Sequence, residues 1–190
     1  MMTPKGALQP GDALLVVDVQ NDFCPGGALS IEDGDTVVPV LNEWIDEADA
    51  KGIPIYASRD WHPQDHISFQ TQGGPWPPHC VQDTEGAAFH PALHLPQHVI
   101  KVTKGVRFDQ DQYSVFDQTG LLDELKRRGV QRVWIGGLAQ DVCVLASALD
   151  ARRGGLVVHV IKAATRPVTA EGGARALQQL RDAGIVIEED

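Results

Sequence analysis

An α/β fold with a mostly parallel sheet covered by helices on both faces is predicted by three features of the chain. Short apolar runs of strand length recur along it, segments of helical spacing lie between several of them, and glycine follows four of those segments. The 190 residues, 43% of them hydrophobic, are enough for one compact domain spanning 1–190 with a core that needs no disulfide.

The strand-length runs fall at 13–19, 53–57, 98–102, 133–135, 156–161 and 185–187. Their apolar character is continuous rather than alternating, which marks strands buried on both faces. Helical spacing occupies 37–50, 121–128, 142–153 and 170–183, and Gly52, Gly129, Gly154 and Gly184 stand where a left-handed C-terminal cap is needed. The stretch 58–97 has neither period and is crowded with proline and histidine. A loop of that length inside a compact domain is usually functional.

Composition bounds the partners. Cys24, Cys80 and Cys143 form an odd set with no charged-then-apolar leader before them, so we expect reduced thiols in a cytoplasmic protein. No apolar run approaches the roughly 18 residues needed to cross a bilayer, which predicts a soluble protein without a membrane partner. The net charge of -10 and the acidic neighbours of Lys126, Arg127 and Arg128 leave no concentrated positive face for nucleic acid.

In an open parallel sheet, ligands bind beyond the carboxyl ends of the strands. Asp18 closes the first predicted strand, and Asp60, Lys104 and Cys143 follow the second, third and fourth, so four reactive side chains are expected at one edge. Cys143 starts a predicted helix, whose free amides would lower the thiol pKa and hold an oxyanion. Taken singly, Cys143 could be an inert buried thiol, Asp18 a turn cap with Asn21 and Asp22, and Lys104 a solvated side chain. Together they suit nucleophilic acyl transfer, with Asp18, partly desolvated at the end of an apolar run, as the base. Lys101, within the third strand, alternates to another face.

Asp60-Trp61-His62 places a carboxylate and an imidazole on one side of extended backbone, His66 follows closely, and Trp76-Pro77-Pro78-His79-Cys80 adds another imidazole on a stiff loop. An aspartate with two or three histidines suits a divalent zinc, iron or manganese ion, with zinc favoured. Cys80 could be a soft ligand but fits better as a packed neighbour of His79. Cys24 reads as a structural thiol, and His90, His94, His98 and His159 as ordinary polar positions.

These motifs resemble the isochorismatase-like hydrolases, and within them the nicotinamidases. The resemblance rests on residues 17–27, Arg59-Asp60-Trp61-His62-Pro63, Trp76-Pro77-Pro78-His79-Cys80, Lys104-Gly105 and residues 137–143, which span nearly the full chain. It implies a three-layer sandwich with a six-stranded sheet and a triad of Asp18, Lys104 and Cys143. It also implies metal ligands Asp60, His62 and His79, with His66 as a fourth in some members, and a cis peptide between Leu138 and Ala139. The expected oxyanion hole is the amides of Ala139 and Cys143, and the expected aromatic pocket is Phe23, Trp76 and Tyr113. The activity implied is hydrolysis of nicotinamide to nicotinate and ammonia through a cysteine thioester, part of NAD salvage, with pyrazinamide also accepted; a homo-oligomer fits the family. Gln140 and Val142 depart from some relatives beside the pocket, which leaves open the preference among aromatic carboxamides.

Two other readings remain for comparison. A hydrolase of the same fold acting on N-carbamoyl compounds or isochorismate would lack the full ligand set or the cysteine. A catalytically silent scaffold would need none of Asp18, Lys104 and Cys143.

Overall fold

Asp12–Val17 is apolar after its first residue, and in the computed structural model, which describes residues 6–189, it forms β1, buried at every position. The remaining elements are α1 (Val37–Ala50), β2 (Ile55–Asp60), β3 (Ile100–Lys104), α2 (Leu121–Arg127), β4 (Arg132–Leu138), α3 (Leu145–Arg153), β5 (Val157–Arg166), α4 (Ala170–Asp182) and β6 (Val186–Glu188). They build one six-stranded sheet in the order β3-β2-β1-β4-β5-β6, parallel throughout. The predicted domain, 1–190, includes positions 1–5 and 190, which lie outside the described residues.

Side-chain alternation along β1 divides the core. Leu14 and Val16 share one buried cluster with Leu41, Trp44 and Ile45 of α1. Leu15 and Val17 share the other with Leu125 of α2, Ala148 of α3 and Leu180 of α4. Each such large aliphatic side chain contributes roughly 1.5–3 kcal/mol when withdrawn from water, so the two faces together hold the sheet between helical layers. The edge strands β3 and β6 are only partly buried, unlike the continuous burial expected of all six runs, because an edge strand has one neighbour instead of two.

The strand order reverses between β1 and β4, and that switch point opens a crevice beyond their carboxyl ends. Asp18 leaves β1 there with φ of 50°, and the Leu138–Ala139 peptide leaving β4 is cis, as expected. The predicted helix 142–153 begins differently. Gln140–Val144 forms a wide π turn before α3, held by a Gln140 Nε2 to Thr165 Oγ1 bond of 2.7 Å and by Asp141 Oδ1 accepting from the Val168 amide at 2.8 Å. Such turns recur at functional sites.

Gly52, Gly129 and Gly184 take left-handed conformations, but Gly154 does not: its φ is -71°, and Gly155 makes the turn with φ of 92°. The reason for glycine at position 154 is close packing, since a Cβ there would stand 2.7 Å from a methyl of Leu122. The loop 58–97 is shorter at its start than predicted because β2 continues through Ser58, Arg59 and Asp60. The loop is tied down by Asp22, whose carboxylate accepts from the amides of Ala28 and Cys80 at 3.1 and 2.7 Å.

Candidate active site

Asp60 and Lys104 are the last residues of adjacent strands and face each other in register, so backbone pairing alone brings their side chains together. Lys104 is completely buried and its Nζ donates to Asp18 Oδ2 at 2.7 Å and to Asp60 Oδ1 at 2.6 Å, with Cys143 Sγ 3.6 Å away. Burial opposes its positive charge, but the two carboxylates outweigh burial and raise its pKa well above the ordinary value. The four predicted strand-end residues therefore meet, with one oxygen each of Asp18 and Asp60 and the sulfur of Cys143 within 4.8 Å of one another.

Burial raises the Asp18 carboxyl, against the opposing pull of Lys104. Its second oxygen accepts from Ser58 Oγ at 2.7 Å, which fixes the side chain's orientation. Cys143 differs from the expectation of a depressed thiol pKa. Burial pushes the thiol up, and the adjacent carboxylates add to that, while Lys104 opposes it. The amides at the π turn do not overcome desolvation, so the thiol needs a base to ionise, and Asp18 is the buried carboxyl beside it.

Asp60 is stationed between two clusters. Burial favours its neutral form, but the Lys104 ammonium outweighs that and holds its carboxyl below the usual range. Its Oδ2 faces His62 Nε2 at 3.5 Å and His79 Nε2 at 3.9 Å. The Nδ1 atoms of these rings lie 2.8 Å from the Gly105 carbonyl and 2.7 Å from the Pro77 carbonyl. A carbonyl can only accept, so each ring carries its proton on Nδ1 and presents a lone pair at Nε2. Among the described residues His62 Nε2 is buried without a hydrogen-bond partner, and with His79 and Asp60 it makes a set of ligand atoms all within 4.8 Å. An orphaned lone pair beside an ionised carboxylate fits a divalent cation. Gly105 has φ of 70°, and a Cβ on it would stand 2.6 Å from the His62 ring, so glycine is required there.

The crevice is a cavity of about 470 Å³, counting its open mouth, lined by Phe23, Trp76, Tyr113, His79, Ala139 and Cys143 among others. Trp76 Nε1 donates to the Tyr113 hydroxyl at 3.1 Å, which orients both rings. Cys80 is buried and belongs to none of the candidate ligand groups among the described residues, and Cys24 is buried with its thiol pushed up to about 11 by burial. His66 stacks on His62 with ring centroids 4.3 Å apart.

Four residues here lie outside the sequence-predicted set. Gln20 donates to the carbonyls of Asp60 and Ala87 at 2.7 and 2.9 Å and accepts from the Asp60 amide at 2.9 Å. Ser58 orients Asp18, and Gln112 accepts from the Gly105 amide at 2.9 Å. Asp111 lines the cavity and lies within 4.8 Å of His62 and His66. Gln20 stands two residues beyond Asp18, and that spacing was the available signal; Asp111 and Gln112 carry none.

A parallel sheet that gathers a thiol, a carboxylate and an ammonium at its switch point, under helices on both faces, has the architecture of an isochorismatase-like hydrolase. The chain belongs to the isochorismatase domain family, whose model matches residues 12–189. It is 38% identical to the nicotinamidase of Escherichia coli (strain K12), over 94% of each chain. The pyrazinamidase of Pyrococcus horikoshii, solved in complex with zinc, is similar with 44% identity and a TM-score of 0.92, covering 95% of this chain and 100% of that one. The PnC1 protein of L. infantum, solved in complex with nicotinate, shares 38% identity and a TM-score of 0.86 over 94% of this chain and 92% of its own.

Proposed function

We propose that the protein hydrolyses nicotinamide to nicotinate and ammonia, and accepts pyrazinamide by the same route. The observation that carries this reading is the completely buried Lys104 ammonium, which touches Asp18, Asp60 and Cys143, the last two of which line an aromatic cavity. Relatives named nicotinamidase and a structural neighbour that holds nicotinate support it.

Asp18 takes the thiol proton, and its raised pKa matches it to a thiol that burial also makes reluctant to ionise. The Cys143 sulfur then attacks the carboxamide carbon, and the amides of Ala139 and Cys143 hold the oxyanion. Lys104 balances the negative charge that passes between Asp18 and the sulfur. The C–N bond breaks as Asp18 returns its proton to the nitrogen, releasing ammonia and leaving a thioester. Water adds to the thioester carbon, its proton restores the thiol, and nicotinate departs. Phe23, Trp76 and Tyr113 hold the ring flat against the sulfur.

Asp60, His62 and His79 would hold a divalent ion, zinc in our reading, with iron or manganese suited by the same donors, and such an ion would supply a Lewis acid able to position the substrate. Three buried thiols without a disulfide support a reducing, cytoplasmic setting, and the family supports a homo-oligomer.

The test is ammonia release from nicotinamide, pyrazinamide, N-carbamoyl amino acids and isochorismate. We expect release from the two aromatic amides, and none after Cys143→Ala in a protein that stays folded and metal-loaded. Turnover surviving that substitution, or confined to the carbamoyl compounds, overturns the reading.

A further inference from the structure

The π turn that carries Cys143 is anchored by a side chain with no part in the acyl-transfer steps. The Ala139 carbonyl accepts from the Val142 amide at 3.2 Å and from the Val144 amide at 3.0 Å, one residue before Cys143 and one after it. An ordinary α turn would instead give that carbonyl the amide four residues on, which is Cys143's own. The wide turn therefore keeps one of the two oxyanion amides from being spent on Ala139. Such turns are rare, so this one calls for a cause.

Gln140, the first residue of the turn, supplies it. Its side chain is buried, and its Nε2 donates to Thr165 Oγ1 at 2.7 Å. The Thr165 hydroxyl gives its own proton to the Lys162 carbonyl at 2.9 Å, so it must accept from the glutamine, which fixes the orientation of the amide. Thr165 is itself buried near the end of β5, on the rung opposite Gly137 of β4. The start of α4 closes over the same amide. A Cβ on Gly173 would stand 2.9 Å from Gln140 Oε1 and 2.8 Å from Pro167, and one on Gly172 would run into the Asp141 carboxylate. Helices disfavour glycine relative to alanine, so two in succession here mark a close approach rather than a helical preference. Asp141 continues the contact, its Oδ1 accepting from the Val168 amide at 2.8 Å.

We propose that Gln140 is a positioning residue: bonded to Thr165 and packed under Gly173, it holds the turn in its π register and so keeps the Cys143 amide aimed at the oxyanion. This rests on the hydrolase reading above only for its kinetic consequence; the register of the turn stands apart from it. Without the bond the turn tightens to α register, the Ala139 carbonyl takes the Cys143 amide in place of the Val144 amide, and the hole loses a donor. Gln140 does not line the cavity, so it acts on the transition state through the backbone alone.

The test uses full-length, zinc-loaded protein and the variants Gln140→Met, Thr165→Val and Thr165→Ser. Each is assayed for ammonia release from nicotinamide and for inhibition by nicotinaldehyde and by 3-methylpyridine. Nicotinaldehyde takes the Cys143 sulfur on its carbonyl carbon and the thiol proton on its oxygen, which then sits in the hole; 3-methylpyridine has the ring but no oxygen to place there. We expect Gln140→Met and Thr165→Val to lower kcat by about tenfold to a hundredfold with KM little changed, less than deleting an oxyanion donor outright. Nicotinaldehyde affinity should fall by a similar factor and 3-methylpyridine affinity should not move. Thr165→Ser keeps the hydroxyl and should restore most of what valine loses. A crystal structure of Gln140→Met should show the Ala139 carbonyl bonded to the Cys143 amide. Unchanged kcat in Gln140→Met and Thr165→Val, equal losses for the two inhibitors, or a Gln140→Met turn that keeps its bond from Val144 overturns the proposal. If Gln140→Met does not fold, the threonine pair decides, and equal activity of its valine and serine forms is the overturning result. If wild-type protein releases no ammonia from any amide, the hydrolase reading fails while the register seen in the crystal still decides the role of Gln140.

Discussion

Asp60 and Lys104 face each other across one rung of the β2–β3 ladder and are joined by an ion pair of 2.6 Å. The pair makes the reactive cluster and the ligand cluster a single electrostatic unit, because the other oxygen of Asp60 faces His62 and His79 while the same ammonium holds Asp18. The position of the thiol's base is thus set by the strand register that also sets the ligand carboxylate.

Lys104→Met removes the only cation paired with Asp18 in the described residues and leaves two buried carboxylates facing each other. Breaking a buried pair by deleting one partner costs about 3–5 kcal/mol. Denaturant titration should show a loss of that size, together with no detectable amide hydrolysis. A loss below about 1 kcal/mol would mean that the carboxylates are neutral without the lysine.

Gly105→Ala should empty the ligand site while sparing the triad geometry. The substitution puts a Cβ 2.6 Å from the His62 ring at a backbone φ of 70°. The left-handed conformation alone costs a non-glycine residue roughly 1–2 kcal/mol. Metal content by elemental analysis should fall well below one equivalent per chain, and full occupancy would contradict the assignment of His62.

Much of this arrangement is legible in the residues themselves. Apolar runs locate all six strands, because a strand buried between helices has no polar face to interrupt it. The ends of β2 and β3 are missed because hydrogen bonding outlasts hydrophobicity: Ser58, Asp60 and Lys104 stay in the ladder after the apolar run stops. Asp18, Lys104 and Cys143 can be placed from strand ends, but the raised thiol pKa cannot, since desolvation depends on what packs over a side chain rather than on its neighbours in the chain. Asp111 is illegible for the same reason, being brought to His66 only by the path of the loop after β3.

Gln20→Met tests whether the loop after β2 is aimed from β1. The amide side chain makes three bonds, two to the backbone of Asp60 and one to Ala87, and all are buried. Methionine fills the space but leaves those backbone groups unpaired, at about 1–3 kcal/mol for a buried unsatisfied group. We expect reduced stability of that order and weaker metal retention on dialysis; a variant as stable as wild type would show that water replaces the amide.

Alkaline pH should destabilise the fold, and Cys24 accounts for a defined part of that. Burial, and after it the charge of Asp35, raises this thiol from 9.0 to about 11. The folded protein therefore binds the proton more tightly than the unfolded chain. Below pH 9.0 both states keep it, and its contribution to stability is complete; as pH rises towards about 11 only the unfolded thiol ionises, so the contribution is lost across that window. The Tyr56 hydroxyl, raised chiefly by burial, adds a loss of the same sign from its ordinary value of 10.0 upward. Cys24→Ala deletes the thiol and keeps the tyrosine, so the fall of unfolding free energy with pH should be shallower in the variant, beginning at 9.0, and the two proteins should diverge no further above about 11. Urea titrations of both proteins across the window measure the slopes, and parallel curves would show that Cys24 ionises as easily folded as unfolded.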